Sequence, residues 1–165
     1  RHLIDLGHRR IAHLAGPQSA SPLRERTVGF RAGLERAGLF DPQLLVLGIN
    51  GNHVDWVVQT MDQLMSLPEP PTAVWAFNDN VAAHVVATAR TRGLQVPQDL
   101  SVMGFDNLPY SNSIGLTTFQ FRSRDLGLQA VHLLHGVFTQ TVVPPVRVCV
   151  VPHLIVRDTT GPAPS

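Results

Sequence analysis

Leu100-Ser101-Val102-Met103-Gly104-Phe105 is a mostly apolar run that halts at Asp106-Asn107. A run of that kind, without alternation, is the pattern of a strand covered on both faces, as in the middle of a parallel sheet. The pattern recurs upstream. Ile11–Ala15 halts at Gly16-Pro17, Leu44–Leu47 at Gly48-Ile49-Asn50-Gly51-Asn52, and Thr72–Phe77 at Asn78. Segments of helical spacing lie between these runs. Ser21-Pro22 reads as an N-cap followed by proline in the first helical position, and that helix runs to about Ala37 before Gly38. Val54 to Leu67 keeps Val54, Val57, Val58, Met61, Leu64 and Met65 on one side and is stopped by Pro68, Pro70 and Pro71. Asn78 is a natural cap for the next helix, with Asp79 in its first turn and an end near Arg92, before Gly93. Strand and helix alternating at this spacing predict repeated βαβ units, an α/β class and a mostly parallel sheet.

The pattern then changes. Leu116 to Phe121 predicts a further strand after the loop Asn107-Leu108-Pro109-Tyr110. Asp125 to Phe138 predicts an amphipathic helix with Leu126, Val131, Leu134 and Val137 inward. Arg147 to Val156 is a late strand interrupted by Pro152, hence an edge strand or two short pieces. Thr159 to Ser165, with two prolines, is expected to fray. Leu3, Ile4 and Leu6 running into Gly7 read as the last turn of a helix with a glycine cap, so the chain is expected to be a fragment of a longer protein. An apolar content of 44% in 165 residues suffices for a core, and a net charge of +1 with scattered charges lacks the basic stripe of a nucleic-acid reader. No apolar run is long enough for a membrane span, and no signal peptide is visible. Cys149, in an apolar run, is expected to be a buried, inert thiol.

In a parallel sheet the segments after each strand share one rim, the edge where α/β proteins bind ligands. That rim would collect Gly16–Ser21, Asn50–Asn52, Asn78-Asp79 and Asp106-Asn107. Asp accepts from hydroxyls and Asn both donates and accepts, so the rim suits a polyhydroxylated or amide-bearing molecule. Arg26 shares the apolar stripe of Leu23, Phe30, Leu34 and Ala37, where a guanidinium requires a partner: a rim carboxylate such as Asp106, or a ligand oxygen. Each residue also has a bland reading. Asn78 and Ser21 are caps, Asn50 a turn residue, Asp106 the start of an Asx turn, and Arg26 a side chain snorkelling to solvent. His132 and His135 are three apart on a helix, but no further ligand is spaced to complete a metal site. No phosphate-cradling glycine pattern, nucleophile elbow or acid–base pair is present, so neither an enzyme nor a cofactor is expected.

The same residues carry a resemblance. Leu6-Gly7-His8-Arg9-Arg10-Ile11-Ala12, Arg26-Thr27-Val28-Gly29-Phe30, Pro71 to Asp79 (Pro-Thr-Ala-Val-Trp-Ala-Phe-Asn-Asp) and Val96 to Asn107 (Val-Pro-Gln-Asp-Leu-Ser-Val-Met-Gly-Phe-Asp-Asn) are similar, in order, to segments of the lactose/galactose-repressor (LacI/GalR) family. Leu116-Thr117-Thr118 and Arg157-Asp158-Thr159-Thr160 fit as well. The resemblance implies a bacterial, cytoplasmic transcription regulator whose effector-binding core is a three-layer αβα fold like a type I periplasmic binding protein. Residues 1–118 with 146–158 would form its carboxyl-terminal subdomain, 119–145 a crossover and helix belonging to the other subdomain, and 159–165 a tail. It further implies a small polar effector, a homodimer, and operator DNA bound through a helix-turn-helix outside this chain. Arg26, Asn78 and Asp106 match positions that contact effector in that family; Ser21 and Asn50 are further rim candidates. The aromatic wall usual near Asn50-Gly51 is missing here, so Phe121 is the candidate aromatic. Val81, Ala82, Val85 and Tyr110 are candidates for the dimer contact or, for the valines, the core. The other reading of this fold is a periplasmic sugar-binding protein that feeds a transporter.

Overall fold

The structure is a computed structural model that describes residues 1–48 and 53–164, so the candidate Asn50 lies outside the described residues. The elements in chain order are α1 (His2–Asp5), β1 (Ile11–Ala15), α2 (Ser21–Arg36), β2 (Leu45–Leu47), α3 (His53–Met65), β3 (Ala73–Ala76), α4 (Asp79–Thr91), β4 (Ser101–Phe105), α5 (Pro109–Ser113), β5 (Thr117–Gln120), α6 (Ser123–Phe138) and β6 (His153–Ile155). The sheet order is β2-β1-β3-β4-β5-β6. All neighbouring pairs are parallel except β5 and β6, which run antiparallel with Phe119 opposite Leu154. The chain moves from β1 to one neighbour, then crosses to β3 on the other side. Such a reversal opens a crevice at the carboxyl ends of β1 and β3.

Alternation along the strands builds two cores. Ala12, Leu14, Val74, Ala76 and Val102 face α3 and α4, meeting Val57, Met61 and Leu64 from the first and Val81, Ala82 and Val85 from the second. Ile11, Ala73 and Met103 face the other way, under Leu3 of α1 and Phe30 and Leu34 of α2. Helices therefore cover both faces, in three layers. Each fully buried Leu, Val or Met side chain contributes roughly 1.5–3 kcal/mol. Val81, Ala82 and Val85 are spent in this core and present no surface to a second copy, whereas Tyr110 stays exposed.

Several local expectations change. The N-cap of α2 is Ala20, whose carbonyl accepts from Leu23 and Arg24; Ser21 is already helical, and no side chain caps this helix. Pro22 tolerates that shift because its missing N–H falls in the first turn, where donors have no intrahelical partner. Thr27 joins Phe30 and Leu34 in the buried stripe of α2, and Ala37 is exposed. Leu44 belongs to a 3₁₀ turn capped by Asp41, and Pro109 to Ser113 form a helical turn in place of a loop. The predicted strand from Arg147 shrinks to His153–Ile155, beyond Pro152. Cys149 is consequently exposed, because the run around it pairs with no strand. The tail is tied down: Thr159 Oγ1 donates to Val102 O at 2.7 Å and accepts from Thr117 N at 2.9 Å, and Ala163 N donates to Leu6 O at 2.9 Å. On α6, Leu126, Val131, Leu134 and Val137 are exposed, Val131 at 61%. With these four side chains exposed, the stripe written for a core has no covering layer among the described residues.

Candidate functional site

The crevice is built around Arg26, in the second turn of α2. Its Nη1 donates to the carbonyl of Phe77 at 2.7 Å, just past the end of β3. Its guanidinium carbon lies 3.7 Å from the centroid of the Phe105 ring, the last residue of β4. One side chain thus links the segment after β1 to the ends of β3 and β4. A planar, weakly hydrated guanidinium suits that place: it forks towards oxygen while its flat face rests on a ring, an arrangement worth about 1–2 kcal/mol when partly desolvated. Phe105 is held in turn by Phe119, at 5.6 Å between ring centroids, and by Phe121, at 5.2 Å.

Asp106 follows Phe105 and is exposed, with its backbone N–H bonded to Phe119 O at 2.8 Å. Its φ is +125° and that of Asn107 is +54°, so two consecutive non-glycine residues lie in left-handed territory. Such a turn persists only where its surroundings over-determine it. Arg157 is one restraint: its Nη2 donates to Asn107 Oδ1 at 2.7 Å and its Nη1 to Leu116 O at 2.6 Å. Electrostatically the two site charges are linked. Burial pushes the Asp106 carboxyl above the usual carboxylate range, the Arg26 cation opposes that, and Asp79 reinforces it. Burial lowers Arg26, and Asp106 works against the shift. Among the described residues the two close no ion pair, so in place of the carboxylate, one of the two partners expected, the guanidinium has a carbonyl and a ring face.

Asn78 caps α4, its Oδ1 accepting from Val81 N at 2.9 Å, and it adjoins the Phe77 carbonyl that Arg26 holds. Ser21 is exposed at the start of α2. The structure therefore gathers Arg26, Asp106 and Phe121 around Phe105, with Asn78 beside them on the same edge. Sequence reasoning missed Phe105 as the platform; its signal was the last strand position, on the face opposite Gly104. It placed Asp79 in the first turn of α4 and on the polar rim; the first-turn position holds, but the side chain is fully buried rather than open to a ligand. A cavity of about 280 Å³ between the sheet and helices α1 and α2, lined by Leu3, Phe30, Trp75, Met103 and Phe119, meets this edge at Arg26 and Phe119. Among the described residues no His, Cys, Asp and Glu group is arranged to hold a metal ion.

Comparison with known proteins decides the family. The model of a periplasmic binding protein-like domain matches residues 1–160. The ribose operon repressor of Escherichia coli is 36% identical over 95% of this chain and 48% of its own length. The chain belongs to the LacI family. A LacI transcriptional regulator from a Rhodococcus species superposes with a TM-score of 0.83 at 32% identity, covering 99% of this chain and 60% of the other. The complex of the transcriptional regulator CelR with cellobiose superposes with a TM-score of 0.81 at 31% identity, covering 96% of this chain and 49% of that one. This LacI-family chain thus spans about half the length of the ribose operon repressor. Its motifs now have places: Leu6–Ala12 leads from the end of α1 into β1, Pro71–Asp79 is β3 with the cap of α4, and Val96–Asn107 is β4 with its strained turn.

Proposed function

We propose that this chain is the effector-sensing domain of a transcription regulator, and that Arg26, Asn78 and Asp106 anchor a small polar, sugar-like effector. The observation that carries the reading is Arg26 bridging the ends of β3 and β4 at the sheet's reversal point, over the Phe105 ring and within the field of Asp106. Guanidinium, amide and carboxylate together serve both the donors and the acceptors of vicinal hydroxyls. Phe121 supplies an apolar face for a sugar ring, Ser21 is a further polar candidate at the start of α2, and Asn50, outside the described residues, remains a candidate from the sequence alone. The cellobiose bound by CelR and the sugar in the name of the ribose operon repressor support a carbohydrate class. The uncovered stripe on α6 supports the assignment of residues 119–145 to a second subdomain and of 1–118 with 146–158 to this one. Effector would fit one subdomain arrangement better than another, and so shift a cytoplasmic homodimer between DNA-binding and released states. That the named relatives are repressors and regulators favours this reading over a receptor that feeds a transporter.

The test is a thermal-shift screen of pentoses, hexoses, cellobiose and nucleosides on the full-length protein. A hit is expected. Arg26→Ala and Asp106→Ala should each abolish its shift while leaving the unliganded melting temperature within a few degrees; an unchanged shift in both variants overturns the assignment.

A further inference from the structure

We propose that Asp79 is the positioning residue of this site: its buried carboxylate clamps the start of α4, the turn after Asp106 and β5 into one corner, and so sets where Asn78 and Asp106 present their polar groups. The inference rests on the effector-site reading above and goes beyond it, since Asp79 itself has no exposed surface. The Oδ2 atom accepts from Leu108 N at 2.9 Å and from Ser111 Oγ at 2.5 Å, and Oδ1 accepts from Thr118 Oγ1 at 2.5 Å. All three partners are donors, which is what an acceptor-only carboxylate requires. The strand opposite leaves room for it: a Cβ on Gly104 would run into Asp79 Oδ1.

Among the described residues no cation pairs with Asp79, so these three donors are what satisfies its carboxylate. The carboxylate does something an apolar residue cannot. It grips the backbone of Leu108, directly after the two residues of positive φ, and it neighbours the Asn78 cap in sequence. Three directional bonds give that turn one geometry. The charge also acts on the site, because Asp79 raises the Asp106 carboxyl against the opposing field of Arg26; Tyr110, raised mainly by burial, feels both carboxylates, and the Arg157 guanidinium lies on the neighbouring Asn107.

Two measurements on the full-length protein test the proposal. In the first, the Asp106 carboxyl is titrated by carbon-13 NMR without effector. Asp79→Asn keeps the shape and removes the charge, so the Asp106 midpoint should move to lower pH and amide exchange at Leu108 should quicken. An unmoved midpoint with unchanged exchange overturns the proposal. In the second, calorimetry follows whichever of D-ribose and cellobiose binds the native protein. Asp79→Asn should weaken it about tenfold, the scale of one hydrogen bond to a charged group. Thr118→Val, which keeps Asp79 and deletes one donor, should weaken it less, and Thr118→Ser should restore it. Native affinity in Asp79→Asn and Thr118→Val overturns the proposal, and if Asp79→Asn fails to fold, the threonine pair decides alone. Native affinity in Asp106→Ala would instead sink the site reading, while the titration would still judge the clamp.

Discussion

His13 carries a second physical consequence at the scale of a single residue. Its ring is fully buried on β1, stacked on Trp75 at 4.5 Å, with Nδ1 donating to Trp75 O at 2.8 Å and Nε2 unpartnered among the described residues. Burial lowers its pKa to about 4; the bond to Trp75 opposes this and Arg26 adds to it. An unfolded histidine titrates near ~6.5, so between those values the unfolded chain holds the extra proton and stability rises with pH. The stabilisation is complete above the unfolded value and is lost as pH falls towards 4, by up to about 3 kcal/mol. The urea midpoint should therefore be lower at pH 5 than at pH 7, and His13→Phe should flatten that slope. Burial also depresses His8 and His2, so part of the slope should survive; a variant slope equal to the native one would refute the assignment.

Elements divide by what covers them. Met61 of α3 is fully buried, and Met61→Ala should cost about 2–5 kcal/mol by urea titration. Leu134 of α6 is 59% exposed, and Leu134→Ala in this chain should change stability by less than about 0.5 kcal/mol. The two residues look alike in sequence, each an apolar position at helical spacing. Periodicity reports that a helix has an apolar face, not what lies against it. For the same reason α1 to α4 and the first five strands were legible almost to the residue, while the late edge strand was drawn too long and the Cys149 thiol was misread as buried. Of the candidate site, Asn78 and Asp106 could be placed on one edge because strand ends converge by rule, and Arg26 stood out because a guanidinium in an apolar stripe needs a partner. The platform role of Phe105 and the burial of Asp79 were not legible, because a ring under a cation and a carboxylate sunk beneath a turn are products of packing that leave no periodic trace.

Across the whole molecule, the tail closes the base of the sheet. Thr159 reaches β4 and β5 at once, and His8 Nε2 lies 3.0 Å from Gly161 O. Thr159→Val, nearly isosteric, would orphan the buried Thr117 N–H and Val102 O, at a cost of about 1–3 kcal/mol each. A melting temperature lowered by several degrees is expected, and an unchanged one would mean that the tail is dispensable to the fold. At the opposite end, the hydrogen bond from Arg26 to Phe77 O spans the sheet's reversal. A guest that draws the guanidinium away strands that carbonyl, so its gain is an exchange of partners rather than a new bond. A vicinal diol can complete the exchange, one oxygen receiving the arginine while the neighbouring hydroxyl donates to Phe77. A lone anion takes the arginine and returns nothing.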